Sequence, residues 1–338
     1  MFAIEKISSD TKVQELITLN DFSSAADHLF HSQLSNWELM RKNYKALEKV
    51  QLKSFWFDGF KLKVQYNPER IKSTSAEVDE NSVANRKCFL CSENLPAEQK
   101  GILLDDNYVL LCNPYPIIEK HFTVASVSHQ PQRISDCFSD FLKISKLLSP
   151  GYTIIYNGPA CGASAPDHLH FQAVTKQFIP VEDDIQQMKN DFGKVLIENE
   201  ITTTSSINDG LRKIILIESK DILSIEKTFR RIFREYESLS SSNSEPMMNL
   251  ICSYDSEFGW TIIIFLRRKH RPECFYEDEP ERLLISPAAI DLGGLVVTPR
   301  ENDFIRTDKE LLEKIFNEVS LDEKTFYLLQ EKVKSILD

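Results

Sequence analysis

The sequence predicts a protein of mixed helices and strands, built as one large domain or two intimate ones. Three observations carry this. The chain has 338 residues, 42% of them hydrophobic, which is ample for a sizeable core. Residues 101–180 read as strand, loop, strand, helix, strand, loop, strand. The stretch from Ser224 onward replays part of that order: helix, loop, strand, turn, strand.

The elements follow in turn. Ser9 to Gln51 is mostly helical in pattern, and in "SNWELMRKNYKALEKV" Ser35 is placed as a cap. "FWFDGFKLKVQYNPERIKST" alternates apolar and polar residues, as paired strands around Asp58-Gly59 would. "SAEVDENSVANRK" is a polar loop leading into "CFLC". "NYVLLCNPYPI" and "KHFTVASVSHQ" read as strands, and "SDCFSDFLKISKLLSP" as a helix capped by Ser135. "YTIIYN" is a strand, "GPACGASAPD" a loop and "HLHFQAV" a strand. In the replay, "SIEKTFRRIFREYESL" is the helix, "SSSNSEP" the loop, "MMNLICSY" and "WTIIIFLRR" the strands. It has no His-x-His, so it is either a degenerate structural repeat or a chance recurrence of a short pattern. An apolar stretch, "ISPAAIDLGGLVVTPREND", and two helical runs complete the chain.

The net charge of −11 lacks the basic footprint of a nucleic-acid-binding protein. It still allows a nucleotide ligand, because a pocket needs only local positive charge. Seven scattered cysteines in so long a chain point to reduced thiols rather than a disulfide framework. "MFAIEKISSDTK" lacks the basic-then-apolar run of a signal peptide, and no apolar stretch is long enough to span a bilayer. A soluble, cytoplasmic protein with no membrane partner is expected.

"DHLHFQAV" carries two of the seven histidines one residue apart, with a glutamine at the same spacing. On a strand, His168, His170 and Gln172 share one face, and Leu169, Phe171 and Ala173 share the other. A neutral imidazole is a good nucleophile near neutral pH. Its attack on an α-phosphorus would give a covalent nucleotidyl-histidine. The preceding loop offers backbone N–H groups near Gly162 and Ala163 and the hydroxyl of Ser164 for phosphoryl oxygens. Gln172 can donate to a phosphoryl oxygen and cannot serve as a general base for water.

Cys88 and Cys91 form a Cys-x-x-Cys pair, a spacing suited to chelating one zinc ion and also to a redox pair. His129 and His168, each at the end of a strand, are the natural further ligands of a closed structural site. His28 and His31 belong to an amphipathic helix, His121 to strand packing and His270 to a basic stretch.

"GASAPDHLHFQAV" resembles the active-site strand of the histidine-triad superfamily, in the transferase and phosphorylase branch with His-x-His-x-Gln. That branch holds galactose-1-phosphate uridylyltransferase, the diadenosine tetraphosphate phosphorylases and the GDP-hexose phosphorylases. "HLHFQA" and "AIDLGGLVVTPREND" are most similar to the last group. "NPYPI", "KHFTVASVSHQ", the Cys-x-x-Cys and the "YN" before the glycine loop agree, over roughly residues 52–305.

The resemblance implies an α+β fold: a histidine-triad-like antiparallel sheet with flanking helices, in two halves of which the second is degenerate. Residues 1–51 would be a helical segment, 52–200 the catalytic half and 201–338 the degenerate half with C-terminal helices. His170 would be the nucleophile and Gln172 would stabilise the intermediate. Ser164 and Gly162 would hold phosphate, and Asn157 would orient the site. Cys88, Cys91, His129 and His168 match the zinc ligands of the uridylyltransferase. Two departures argue against uridylyltransferase activity itself: Leu169 stands where that enzyme has proline, and one extra residue lies near Asp167.

The expected reaction is nucleotidyl transfer from a nucleotide-sugar, GDP-linked, to phosphate or a sugar phosphate. The alternatives are a dinucleoside polyphosphate phosphorylase and a zinc-stabilised nucleotide-binding protein without turnover. Arg70, Lys72 and Arg86, with "RRKHR" at residues 267–271, are the candidates to meet the phosphates. Proteins of this type often form homodimers.

Overall fold

Short aspartate-capped helices open the chain. Asp10 accepts from the first turn of α1 (Thr11–Thr18) and Asp21 from that of α2 (Phe22–Asn36). The third helix, α3 (Glu38–Ala46), starts at buried Trp37 with no side-chain cap. Ser35 lies inside α2, where its hydroxyl donates to the His31 carbonyl, so it is not a cap. The expected helix start is displaced because α2 runs almost without a break into α3.

The structure, a computed structural model, describes residues 2–71, 82–83, 85–240 and 245–334. Next come β1 (Gln51–Phe57) and β2 (Phe60–Tyr66), a hairpin with Phe57 opposite Phe60 and Gly59 at φ +75° in its turn. β3 (Gly101–Leu104), β4 (Tyr108–Cys112) and β5 (His121–Ser126) form a meander. Helix α4 (Phe138–Leu147) leads to β6 (Tyr152–Asn157) and β7 (His170–Thr175). Ser135 is not its cap: it sits in a 3-10 turn ahead of α4 and its hydroxyl donates to Asp136.

Helix α5 (Pro180–Phe192) connects to β8 (Gly193–Glu198), β9 (Thr202–Asn208) and β10 (Lys213–Ser219). Then follow α6 (Ile222–Leu239), β11 (Met248–Asp255) and β12 (Gly259–Leu266). The chain closes with α7 (Ala289–Leu292), β13 (Leu295–Thr298), α8 (Glu301–Arg306), α9 (Lys309–Val319) and α10 (Glu323–Lys334).

Among the described residues, ten strands form one antiparallel sheet in the order β3-β4-β5-β7-β6-β11-β12-β10-β9-β8. The order is symmetric about its centre. In each half a three-stranded meander is followed by a helix and then a hairpin, and the hairpin's second strand docks beside the third strand of the meander. The replay visible from Ser224 is thus a replay of topology, completed by β8, β9 and β10. The expected division near residue 200 falls between β8 and β9, which pair with each other.

One face of the sheet is covered by α1, α2, α3, α4, α6 and α10 around one core. The other is covered by α5, α7, α9 and a small sheet, β1-β2-β13, around a second. β7 obeys the period of two: Phe171 and Ala173 enter the first core and Val174 the second. His170 and Gln172 therefore face the side that the C-terminal segment covers. No helix among the described residues is long and apolar enough to cross a membrane.

A polar seam joins the halves where β6 meets β11, with Asn157 opposite Asn249. Asn249 donates through Nδ2 to Asn157 Oδ1 at 2.8 Å and to the Cys161 carbonyl at 2.7 Å. Buried Arg267 donates to Asn249 Oδ1 at 2.7 Å and to the carbonyls of Pro287, Val319, Lys269 and His270. Its charge is dispersed over these oxygens, with the Asp291 carboxylate near enough to act on it. Arg267→Met should lower stability by about 3 kcal/mol or more in urea unfolding, because buried acceptors lose their donor. Surface-exposed Arg268→Ala should stay within about 0.5 kcal/mol.

Candidate active site

His170 is the first residue of β7 and is buried between β5 and β6. Its backbone is clamped by Gln132, which accepts from His170 N at 2.8 Å and donates to the carbonyls of His170 and Asn157, each at 2.9 Å. Its ring Nδ1 lies 2.8 Å from the His168 carbonyl. Only a protonated nitrogen can donate to a carbonyl, so Nε2 carries the lone pair. Burial pushes the His170 pKa down to about 4, which keeps the ring neutral.

Gln172 is fixed in the same manner. His121 Nδ1 accepts from the Ile117 amide, so its Nε2 carries the proton and donates to Gln172 Oε1 at 2.9 Å. That leaves the Gln172 amino group as its donor toward the cleft. His121 is therefore more than the strand-packing residue that the sequence suggested: it orients the glutamine.

Two compartments of one cleft meet here. The larger, about 520 Å³, is lined by His170 and Gln172 together with Arg86, Phe89, Trp37 and Tyr115. The smaller is polar, lined by Asn157, Gly162, His270, Arg271, Ser286 and Asp291 among others. Arg70, Ser164 and Gln172 border both. Gly162 sits at φ +95°, and a Cβ there would meet Ala288 Cβ at 2.7 Å, so the first half's loop approaches the second half closely. Asn157 Oδ1 accepts from Asn249 Nδ2 and from the Ala289 amide, which turns its amino group to the cleft.

Arg70 donates to the Tyr115 carbonyl at 2.7 Å, while its Nε is buried without a hydrogen-bond partner among the described residues. Arg86 donates to the Ser164 carbonyl and to Asp167, and lies over the Phe89 ring. Lys72 falls outside the described residues. Of "RRKHR", Arg267 is internal, Arg268 bonds carbonyls at residues 317 and 318, and Lys269 meets Glu318. His270 and Arg271 line the cleft, so His270 is more than one member of a basic stretch. Gln132, Asn249 and Asp291 went unread in the sequence. Each is an isolated polar residue whose role exists only through long-range contacts.

Beside His170 lies a second constellation. The ligand atoms of Cys88, Cys91, His129 and His168 all lie within 4.8 Å of one another. Cys88 Sγ is 3.3 Å from His168 Nδ1, Cys91 Sγ is 3.2 Å from His129 Nδ1, and Cys91 Sγ is 3.6 Å from His168 Nδ1. A tetrahedral ion with bonds of roughly 2.0–2.3 Å requires ligand separations of roughly 3.3–3.8 Å. His168 Nε2 lies 2.8 Å from the Ser126 carbonyl, so its Nδ1 lone pair faces the sulfurs. Burial and the neighbouring Cys88 push the Cys91 thiol up to about 12. The group fits a metal ion whose positive charge would favour the thiolates.

Comparison with known proteins bears on this arrangement. Residues 29–175 match a domain of unknown function (DUF4922), and residues 199–338 match the GDPGP1-like, C-terminal domain. No curated protein sequence matches the chain. Yeast Ap4A phosphorylase Apa2 superposes with a TM-score of 0.57 at 15% identity, over 84% of this chain and 96% of that one. The two chains share one overall fold. The crystal structure of Apa2 in complex with Ap4A gives 0.53 at 14% identity, again over 84% and 96% of the two chains. Its complex with AMP gives 0.54 at 14%, over 86% and 96%. The expected α+β architecture is realised, including the large antiparallel sheet with flanking helices.

Burial pushes the pKa values of His121 and His270 down to about 4, below the ordinary 6.5. The unfolded chain therefore takes up protons first. The stability that these neutral rings confer is complete above about pH 6.5 and is lost progressively as pH falls toward about 4. The urea midpoint should fall from about pH 7 to about pH 4.5, and His121→Gln should weaken that dependence. A midpoint that stays level over this range would contradict the assignment.

Proposed function

We propose that this protein is a nucleotide phosphorylase working through a covalent nucleotidyl-histidine on His170. The observation that carries the reading is the hydrogen bond from His170 Nδ1 to the His168 carbonyl. It leaves Nε2 unprotonated at a cleft bordered by Arg70, Arg86, Ser164 and Gln172. Nε2 attacks the α-phosphorus of the donor. The bond to the bridging oxygen breaks, and that oxygen leaves with the electron pair. A phosphate oxygen then attacks the same phosphorus, the N–P electron pair returns to Nε2, and a nucleoside diphosphate leaves.

In this reading the Gln172 amino group, left free by the bond from His121 to its Oε1, donates to a phosphoryl oxygen in both steps. As an amide it cannot deprotonate water, which favours phosphate over water as acceptor. The GDPGP1-like C-terminal domain supports a GDP-hexose donor, giving hexose 1-phosphate and GDP. A dinucleoside polyphosphate is the second reading, supported by the likeness to Ap4A phosphorylase. Either donor presents an α-phosphorus with a polyphosphate or phosphosugar leaving group.

The four-residue cluster holds zinc in this reading. A closed site of two sulfurs and two nitrogens supplies structure rather than a reactive water. It ties the Cys88–Cys91 loop to the ends of β5 and β7 beside the nucleophile. Metal analysis should give about one zinc per chain, lost in Cys88→Ser/Cys91→Ser together with thermal stability.

The enzymatic test is intact-protein mass spectrometry after mixing with a donor panel and no phosphate. One added nucleoside monophosphate is expected, and none in His170→Ala. Gln172→Ala should slow turnover by about 10²-fold, and His121→Phe by about tenfold through a misplaced Gln172. An adduct that persists in His170→Ala would overturn the assignment.

A further inference from the structure

We infer that the outer edge of β1 pairs antiparallel with the same edge of a second copy of this chain, Ser54 opposite Ser54 on a two-fold axis. The pairing is independent of the proposed reaction. It follows first from how the sheet edges end. On the outer edge of β3, Ile7 forms a parallel bridge with Gly101 and the Ser8 amide donates to the Gly101 carbonyl. β8 is interrupted by a bulge between Val195 and Ile197. On β13 the Val297 amide donates to Asp291 Oδ1. Among the described residues β1 has none of these devices: its seven residues keep unbroken register with β2, include no proline and pair with no other strand. Its one charge, Lys53, turns to the inner face and donates to the carbonyls of Phe304 and Thr307.

The hairpin sets the register. Its two-residue turn closes on Phe57 and Phe60, a pair that exchanges both hydrogen bonds. The alternation then leaves the N–H and C=O of Leu52, Ser54 and Trp56 on the outer edge. β2 agrees in phase: Lys63, opposite Ser54, turns its amide away to the Gly294 carbonyl at 2.7 Å. Leu52 and Trp56 stand symmetrically about Ser54 and are 56% and 69% exposed. Pairing Ser54 with Ser54 therefore sets Leu52 opposite the second copy's Trp56, twice over, with every outward main-chain group matched. Each copy supplies the apolar cover and the backbone partners that the other lacks. Nothing charged opposes the contact. Lys63 and its counterpart lie three strand spacings apart, about 14 Å, which exceeds a Debye length of about 8 Å at physiological salt. The two small sheets become one continuous sheet.

The test is sedimentation velocity on the full chain from about 1 to about 100 µM. A contact of this small size predicts a dimer with a Kd of about 10 µM. Trp56→Lys and Leu52→Lys, both surface changes, should each raise the Kd about 100-fold or more, because each change counts twice across the axis. Ser54→Pro should do the same and leave the β1–β2 bonds whole, because the amide it removes faces outward. Urea midpoints equal to the native one at about 0.1 µM chain, where the native protein is monomeric, show that the variants are folded. Trp37 and Trp260 are buried, so fluorescence from exposed Trp56 should move to shorter wavelength as the native dimer forms and stay unmoved in Leu52→Lys. A native protein still monomeric at about 100 µM would overturn the inference, including the case in which the edge serves a strand of another protein. A dimer that persists in both Trp56→Lys and Leu52→Lys would also overturn it, by placing the contact on another surface.

Discussion

The cleft depends on a single hydrogen bond, from Nδ1–H of His170 to the main-chain carbonyl of His168, 2.8 Å long. An imidazole with one nitrogen held in this way has one tautomer and one ring orientation. The carbonyl that holds it is itself immobile. The His168 ring is fixed at Nε2 by the Ser126 carbonyl and at Nδ1 by the two sulfurs. The cluster and the His170 ring are thus two ends of one short lever. In the proposed reading a metal in the cluster would have no need to touch a substrate, since it would act on Nε2 through the backbone of residues 168–170.

The duplication explains why the site is assembled from distant parts of the chain. β12 occupies the position in the second half that β7 occupies in the first, next to the hairpin partner and the third meander strand. On the face where β7 carries His170 and Gln172 it carries Ile263 and Phe265, both buried. The second half keeps the architecture without the His-x-His-x-Gln stretch. Its polar residues serve the join instead: Asn249 and Arg267 bind Asn157, the Cys161 carbonyl and the turn at His270. Because α7 and β13 lie over the face that His170 points to, the C-terminal segment closes the cleft of the N-terminal half.

Much of this was legible in the sequence where the signal is local. The alternation in "HLHFQAV" separates His170 and Gln172 from Phe171 and Ala173, because the pleat alone decides the faces. The strand itself starts only at His170, since His168 and Leu169 are engaged by the loop around Ser126 and Gln130. The Cys88-x-x-Cys91 pair was readable, and His129 and His168 do converge on it. Ser35 and Ser135 misled because cap residues are common and context decides which one caps. His121 looked like core, and it is core, yet its ring directs Gln172. Gln132, 38 residues from His170, carries no periodic signature at all. Contacts of that kind are specified by the fold, and no window of sequence contains both partners.

The most direct test of the central claim is the position of the phosphoryl group on the ring. Correlated phosphorus and proton NMR on the denatured nucleotidyl protein distinguishes a phosphoramidate at Nε2 from one at Nδ1. A ring tied through Nδ1 to the His168 carbonyl should carry the nucleotide on Nε2 of His170 and nowhere else. A linkage at Nδ1, or on any other residue, would contradict the account.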